Sequence, residues 1–237
     1  MFTGFPEETL RFFLDLRFHN SIGYFEEHRE DFRRDVQEPF YEFINDLASR
    51  MQKIDPQMEI RPYKCLARIR RDTRFTKDKS PFRDHLWLLF RRAAEPREQS
   101  LNFWFELGPD GVGWGMGFWG ENRPVMDMLR RQMAAQPERI LDVIDSCNLP
   151  EHRLALGGSS FKRMAVPPQL PERLKPWYLA KELFIPRVAP EMKWVYDEKL
   201  IGRVGRDFET MAPLYRLLRG LCDQAQAENG DNTPDGR

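Results

Sequence analysis

The sequence from Leu101 to Trp119, LNFWFELGPDGVGWGMGFW, decides the fold. Apolar side chains occupy every second position of its first half, at Leu101, Phe103, Phe105 and Leu107, as in a strand with one buried face. The loop Pro109-Asp110-Gly111 then provides turn chemistry, and a second aromatic run follows it. The pattern predicts strands Leu101–Leu107 and Val112–Trp119, joined as an antiparallel hairpin.

The second strand carries glycine at alternate positions, Gly113, Gly115 and Gly117. One face of this strand therefore has no side chains, which costs stability unless something approaches the backbone closely. We expect either a closely packed helix, which is favoured, or a ligand on a flat backbone floor. The spacing differs from the dinucleotide-binding pattern G-x-G-x-x-G, which opens a helix.

Helices are predicted on both sides of this strand region in the sequence. Apolar periodicity indicates a helix over Phe5–Phe18 with Leu10, Phe13, Leu14 and Phe18 on one face. A longer helix follows, kinked or divided at Pro39. Later helices are predicted over Pro124–Gln136, Pro137–Cys147 and Asp197–Gln224, the last interrupted near Pro213. Further strands are predicted over Met58–Pro62, Lys64–Arg71, Leu86–Arg91 and Lys181–Val188.

This order of elements predicts an α+β fold with a central, mainly antiparallel sheet flanked by N-terminal and C-terminal helices. We expect one domain over residues 1–224. The tail 225–237 has almost no apolar anchor and is predicted to be disordered.

Composition excludes several classes of protein. The chain has 237 residues, 41% hydrophobic and 31% charged, and its net charge is zero, which argues against wholesale disorder and a histone-like surface. No apolar run is long enough to span a membrane, and no signal peptide is visible. Three widely spaced cysteines are typical of a reduced, cytoplasmic protein. We therefore expect a cytoplasmic protein with no membrane contact.

The zero net charge hides an uneven distribution. Residues 7–46 contain 11 acidic and 5 basic residues, a balance of −6, whereas residues 61–97 contain 12 basic and 4 acidic residues, a balance of +8. The two regions could pair with each other, or the basic one could bind an anionic partner.

The most unusual stretch is the basic segment, Arg68–Arg83, in which seven of sixteen residues are Arg or Lys. On a predicted strand, Arg68, Arg70 and Lys64 would share one face. Arginines fixed in this way can present planar donor forks to phosphate or carboxylate. The segment is therefore interpreted as an anion-binding surface, or alternatively as a solvated loop paired with the acidic helices.

Other chemistries are not indicated by any motif. The four histidines and three cysteines lack the spacing of metal ligands, so no metal is predicted. The chain has neither a phosphate-binding G-x-x-x-x-G-K loop nor a G-x-S-x-G nucleophile elbow. No cofactor is predicted.

The basic segment also carries a family resemblance. Its sequence from Arg68 to Phe82, RIRRDTRFTKDKSPF, resembles the signature of the DUF2461 family, a group of uncharacterised, mostly bacterial proteins. Further matching pieces are Phe2–Phe5, Asn20 with Tyr24, Phe25 and Arg29, Gly117–Trp119, Leu129-Arg130, Gly157 with Phe161–Arg163, and Lys181. The resemblance extends to about Leu221. It implies one domain and directs attention to the basic segment, but it implies no reaction.

Three functional hypotheses follow. The first is a pocket that binds a phosphorylated or carboxylated small molecule, where any catalysis would be electrostatic. Its predicted anion-binding residues are Arg68, Arg70, Arg74, Lys77, Lys79 and Arg83, with Lys162 and Lys181 from the later half of the chain. The alternative is a basic face that binds nucleic acid or an acidic protein. The third is a structural segment clamped to acids such as Glu26, Glu30 and Asp31. Whether the protein is an enzyme, its ligand and its oligomeric state stay open.

Overall fold

The computed structural model of the protein describes residues 1–74, 77–96 and 100–231. Its α-helices are α1 (Glu7–Phe18), α2 (Ile22–Glu27), α3 (Arg29–Asp31), α4 (Glu38–Ile54), α5 (Pro62–Cys65), α6 (Arg123–Ala135), α7 (Pro137–Ser146), α8 (Lys175–Leu179), α9 (Lys199–Thr210) and α10 (Ala212–Asp231). Its strands are β1 (Leu86–Arg91), β2 (Leu101–Gly108), β3 (Gly111–Phe118) and β4 (Phe184–Pro186). They form one antiparallel sheet in the order β1-β2-β3-β4, which confirms the predicted α+β class.

The predicted hairpin is present. Strands β2 and β3 are neighbours in the sheet, and Pro109 and Asp110 connect them. The alternate apolar residues of β2 are all buried, because one face of this strand packs into the protein interior. Strand β1 has the bounds that the sequence predicts.

The chain divides into two compact units, each made of three separated stretches. The first contains Met1–Ala93, Phe103–Trp114 and Ala189–Arg206, and the second contains Ala94–Asn102, Gly115–Val188 and Asp207–Arg237. The polypeptide passes from one unit to the other within β2 and again within β3. No composition shift or linker in the sequence indicates this division.

Aromatic rings form the core of the first unit. Phe105 of β2 lies 4.6 Å from Phe43, 5.8 Å from Phe5 and 6.3 Å from Trp114, measured between ring centroids. The backbone N–H of Phe5 donates to the carbonyl of Val195 at 2.7 Å. Large aromatic side chains dominate the burial here, and the contact of Phe43 with Phe105 packs α4 against β2.

The predicted apolar face of α1 is only partly correct: Phe13 is buried, but the rest of the buried face differs. Leu14 and Phe18 are 43% and 72% exposed, and the face that packs inward carries Thr9, Phe12, Phe13 and Leu16. Both sets have helical spacing, so periodicity alone does not separate them. The hydroxyl of Thr9 is satisfied inside the fold because it donates to the carbonyl of Asp35 at 2.5 Å.

The long helix is not divided at Pro39: residues 29–54 are helical without a break, and Gln37 and Glu38 before the proline have helical backbone angles. A π-helical segment, Phe32–Gln37, precedes α4, and Pro39 lies in the first turn of α4. Proline has no N–H to donate, and the irregular, π-helical hydrogen bonding lies immediately before it in the same continuous helix. Phe32, Val36 and Phe40, at helical spacing on both sides of this change in hydrogen bonding, are buried.

The second unit is built around α6, α7 and α10. Apolar residues such as Leu129, Met133 and Ile140 are buried in it. The guanidinium of Arg130 is also buried and donates to the carbonyls of Tyr178 at 2.9 Å and Ala180 at 2.6 Å. These carbonyls end α8, where helical partners run out, so the arginine satisfies otherwise orphaned acceptors.

Two of the alternate glycines of β3, Gly115 and Gly117, face a strand rather than the favoured helix. A Cβ atom on Gly115 would lie 2.3 Å from the carbonyl oxygen of Ile185, and one on Gly117 would lie 2.4 Å from that of Leu183. Residues Gly115 to Gly117 pair antiparallel with Pro186 to Phe184 in β4. The missing side chains therefore allow the β4 backbone to approach β3 closely.

Two predicted strands and the predicted tail differ from the structure. Residues 58–62 and 64–71 form only isolated bridges, at Met58, Leu66 and Arg70, because the short helix α5 interrupts them. The start of the tail is helical: α10 continues to Asp231, with Ala225 buried. Residues 232–237 of the predicted tail lie outside the described residues.

None of the helices in the described ranges has the length and apolarity needed to cross a membrane.

Candidate functional site

The first unit contains a cavity of about 500 Å³, here named the arginine cavity. Its lining side chains come from the α2-to-α4 region and from the α5-to-β1 connection. They are Ile22, Phe25, Glu26, Arg29, Glu30, Phe32, Arg33, Gln37, Tyr41, Tyr63, Leu66, Ala67, Arg68, Ile69, Arg70 and Phe82. Ligand sites typically have this size and this mixture of apolar walls with a few polar groups.

Arg68 and Arg70 both line this cavity, although they do not lie on the predicted strand. The backbone is held there by isolated bridges on either side, Leu66 with Leu88 and Arg70 with Phe82. The third predicted member of the face, Lys64, lies in the helical turn α5 and is not among the lining residues.

Arg83, also a predicted anion-binding residue, contacts the backbone of the two arginines and is not among the cavity-lining residues. One of its terminal nitrogens donates to the carbonyl of Arg68 at 2.9 Å and to that of Arg70 at 2.6 Å. Its guanidinium also stacks on Trp87, 5.0 Å from the ring centroid. These contacts hold the Arg68–Arg70 backbone in place and reduce the conformational freedom of the two cavity arginines.

Asn20 binds the C-terminal end of the basic segment at Phe82. Its side-chain amide accepts from the N–H of Phe82 and donates to the carbonyl of the same residue, both at 3.0 Å. The Phe82 ring stacks on Phe25 with a centroid separation of 4.2 Å. The amide hydrogen bonds hold the Phe82 backbone in place. The stacked rings of Phe25 and Phe82 form an apolar floor of the arginine cavity.

The acidic and basic groups of the cavity are unequally paired. Arg29 binds Glu26 through several hydrogen bonds of 2.5–3.0 Å, and Arg33 lies 3.1 Å from Glu38. Hydrogen bonding from Arg29, with a smaller contribution from Arg70, lowers the pKa of the Glu26 carboxyl.

By contrast, Arg68 and Arg70 are exposed and form no salt bridge with any residue in the described ranges. Their guanidinium groups keep their hydrogen-bond donors facing solvent at the cavity wall. They are therefore the cavity cations best placed to receive an external anion.

The remaining predicted cations of the basic segment lie outside the cavity lining. Arg74 pairs with Asp72 at 2.7 Å, and this hydrogen bond lowers the pKa of the Asp72 carboxyl to about 2. Lys79 donates to the carbonyl of Thr73 at 2.8 Å, and Lys77 is exposed. Phe75 and Thr76 of the same segment lie outside the described residues.

Lys162 and Lys181 belong to the second unit. Lys162 is exposed, and the ammonium group of Lys181 lies 5.5 Å from the Phe161 ring centroid. The arginine cavity is lined by described residues of the first unit, so a role for these two lysines in anion binding stays a prediction.

The acids named for a structural clamp have partners on their own helical segment. Glu26 binds Arg29, Glu30 lies 4.0 Å from Arg33, and Asp31 accepts from Arg34 at 2.8 Å. The acids that pair with the basic segment are instead its own members, Asp72 and Asp78.

Several lining residues are missing from the sequence-based site. Arg29, Arg33, Gln37 and Tyr41 recur every fourth residue, and all four line the arginine cavity. This spacing places polar groups on one helical face and is the signal that could have located them. The Gln37 amide donates to the Tyr41 hydroxyl at 3.3 Å.

A second cavity of about 400 Å³ lies beside the β2–β3 turn in the first unit and includes His85, Trp104, Glu106 and Asp110. His85 Nδ1 lies 3.0 Å from an Asp84 oxygen, and its Nε2 lies 3.8 Å from Glu106. The Trp104 ring covers Gly113: a Cβ atom added at Gly113 would lie 3.2 Å from this ring. This packing supports a role in holding the hairpin.

Metal binding has no matching donor set in the residues described. Within them, no group of three or more His, Cys, Asp or Glu side chains has the arrangement needed to hold a metal ion.

Comparison with known proteins places the chain in a family. The family model described as "Conserved hypothetical protein (DUF2461)" matches residues 8–217. The chain belongs to the DUF2461 family. The matched span includes every lining residue of the arginine cavity, from Ile22 to Phe82. No curated protein and no solved structure matches the chain. The description of the DUF2461 family names no ligand or reaction, so the arginine cavity of this member is what indicates a function.

Proposed function

We propose that this DUF2461 chain is a cytoplasmic protein that binds a phosphorylated or carboxylated small molecule in the arginine cavity. One observation carries the proposal. Arg68 and Arg70 line a cavity of about 500 Å³ with exposed guanidinium groups that form no salt bridge in the described part of the chain. Both residues therefore offer planar donor groups to an anion in this cavity.

The physical basis is charge-assisted hydrogen bonding by positioned donors. A guanidinium presents its N–H groups in a planar fork that matches the oxygens of a carboxylate or phosphate. Arg83 and Asn20 hold the backbone beneath these donors through four hydrogen bonds of 2.6–3.0 Å. Because the backbone is already ordered, less conformational entropy is lost on binding.

The other predicted cations would act at a distance. Arg74, Lys77 and Lys79 are exposed in the same segment and increase the positive potential near the cavity, which would attract anions. Any catalysis at this site would use the arginines to stabilise developing negative charge.

A thermal-shift experiment tests the proposal. The protein is screened with inorganic phosphate, phosphorylated metabolites and carboxylates, and the parent is compared with the double variant Arg68→Gln plus Arg70→Gln. A ligand that binds only the folded state raises the melting temperature of the parent. We expect this increase to disappear in the double variant.

The matched control is Arg74→Gln plus Lys77→Gln. It also removes two positive charges from the basic segment, but at residues outside the cavity lining. The control should keep most of the thermal shift. If no anion stabilises the parent, or if both double variants respond alike, the cavity proposal is wrong.

The alternative, a basic face for nucleic acid, predicts a different pattern. Affinity for a DNA or RNA oligonucleotide would fall steeply with salt because counterions are released, and both double variants would weaken binding equally. That result would favour the binding-module interpretation.

A further inference from the structure

The composition of the arginine cavity narrows the ligand class, an inference that rests on the proposed function. We infer that the preferred ligand is a monocarboxylate attached to an aromatic or other apolar body, rather than a nucleotide or another polyphosphate. The argument uses the cavity's charge, its apolar floor and the position of its free donors.

The charge of the lining is small. It contains four arginines and two glutamates, a formal balance of 4 − 2 = +2. Two of the arginines are already engaged, Arg29 by Glu26 and Arg33 by Glu30 and Glu38. The charge left for a ligand is therefore that of Arg68 and Arg70.

The two glutamates oppose further negative charge. Glu26 and Glu30 line the same cavity, and like charges in one site repel each other. A carboxylate brings two oxygens and a single charge, which two guanidinium forks can satisfy. A polyphosphate brings several charges, and no additional unpaired lining cation is present among the described residues to receive them.

Much of the remaining lining is apolar. Phe25 and Phe82 are buried and stacked on each other, and Ile22, Ile69 and Leu66 contribute aliphatic surface. Ile22 is 52% exposed, so part of this surface stays in water until something covers it. Covering apolar surface is favourable in proportion to the area removed from water, and an aromatic or aliphatic ligand body would achieve this.

Tyr41 adds a polar contact to this mainly apolar region. Its hydroxyl accepts from Gln37, which leaves the hydroxyl proton available for donation. Burial raises the pKa of Tyr41, so the hydroxyl remains protonated at neutral pH. It can therefore orient a ligand that carries a hydrogen-bond acceptor.

Calorimetric titration with matched probes tests the inference. The probes are 3-phenylpropionate, acetate, 3-phenylpropionamide, phenyl phosphate and ATP, each titrated into the full-length parent protein. We expect 3-phenylpropionate to bind at least tenfold more tightly than acetate, which lacks the body, and than the amide, which lacks the charge. It should also bind more tightly than phenyl phosphate and ATP.

Two sets of variants separate charge from apolar contact. Arg68→Gln plus Arg70→Gln should weaken 3-phenylpropionate at least tenfold, whereas Arg68→Lys plus Arg70→Lys, which keeps charge but loses the forks, should weaken it less. Ile22→Ser should weaken 3-phenylpropionate several-fold and leave acetate unchanged. All three changed side chains are exposed, and circular dichroism verifies that each variant is folded.

The possible failures are distinguishable. If phenyl phosphate or ATP binds more tightly than 3-phenylpropionate and requires the two arginines, this inference is overturned while the proposed function stands. If acetate and 3-phenylpropionate bind equally, the apolar contribution is disproved. If none of the anionic probes binds in a way that requires Arg68 and Arg70, the proposed function fails and the inference fails with it.

Discussion

The side-chain amide of Asn20 pairs with the backbone of Phe82 in both directions, accepting from its N–H and donating to its carbonyl at 3.0 Å each. The two residues are 62 positions apart in the sequence. An amide that donates and accepts in this way replaces a strand partner for a single residue. It connects the residues just before α2 to the end of the basic segment and holds Phe82, a lining residue of the arginine cavity.

Replacing Asn20 should destabilise the first unit. Asn20→Ala leaves the N–H and carbonyl of Phe82 without these partners, so we expect the free energy of unfolding to fall by about 1–3 kcal/mol. Asn20→Asp keeps the acceptor but loses the donor and should also be destabilised. Urea denaturation measures both variants. An Asn20→Ala variant as stable as the parent would show that the clamp contributes nothing.

Arg17 should give the protein part of its acid sensitivity. It donates to Asp84 at 2.5 Å and to Asp110 at 2.6–2.9 Å. Burial would raise the pKa of Asp84, but hydrogen bonds from His85 and Arg17 outweigh it, so the net pKa is lowered. The hydrogen bond from Arg17 lowers the pKa of Asp110.

The sign of the pH effect follows from these lowered values. Carboxyls with a lower pKa in the folded state stabilise the fold above their unfolded pKa, about 3.9, and this stabilisation is lost as the pH falls through the folded values. Arg17→Met should therefore lose stability at pH 7 and show a shallower decline between about pH 5 and pH 2. Arg11→Met, on the same helix, is the control and should keep the parent profile. Identical acid profiles for Arg17→Met and the parent would contradict the prediction.

The three cysteines should be unreactive in the folded protein. Cys65, Cys147 and Cys222 are free thiols, and each is at most 4% exposed. Burial raises the pKa of Cys65 to about 12 and also raises that of Cys147, so little thiolate forms near pH 8. Ellman's reagent at pH 8 should react slowly with the native protein and rapidly with three thiols in urea. Rapid stoichiometric reaction without urea would disprove this.

Gly115→Ala should be strongly destabilising. The new Cβ would lie 2.3 Å from the carbonyl oxygen of Ile185 and 2.9 Å from its carbon, and backbone atoms cannot move aside easily. We expect a loss of about 1–3 kcal/mol in the free energy of unfolding. Gly111→Ala is the matched control on the same strand, because nothing lies within 4 Å of its Cβ position, and it should change stability by less than about 1 kcal/mol. Equal effects in the two variants would show that β4 does not restrict this position.

Local sequence patterns predict the regular elements well and their partners poorly. The Leu101–Trp119 alternation is confirmed as a hairpin because period-two burial is a property of the strand itself. The face of α1 is only partly predicted: Thr9, polar by type, is buried and donates to the distant carbonyl of Asp35, whereas Leu14 and Phe18 are exposed. Gly115 and Gly117 of β3 show the same limit of local patterns. Their spacing indicates a close neighbour, and only the fold identifies this neighbour as β4.

The amino-acid sequence by itself determined the α+β class, the hairpin and the family of the chain, because these depend on neighbouring residues or on matching them directly. Only the tertiary structure decided which cations of the basic segment are paired and which line a cavity. Arg68 and Arg83 have the same side chain, but one faces the cavity and the other donates to backbone carbonyls. The reason is that pairing depends on distances between residues far apart in the chain, and Asn20 and Phe82 meet only once it has folded.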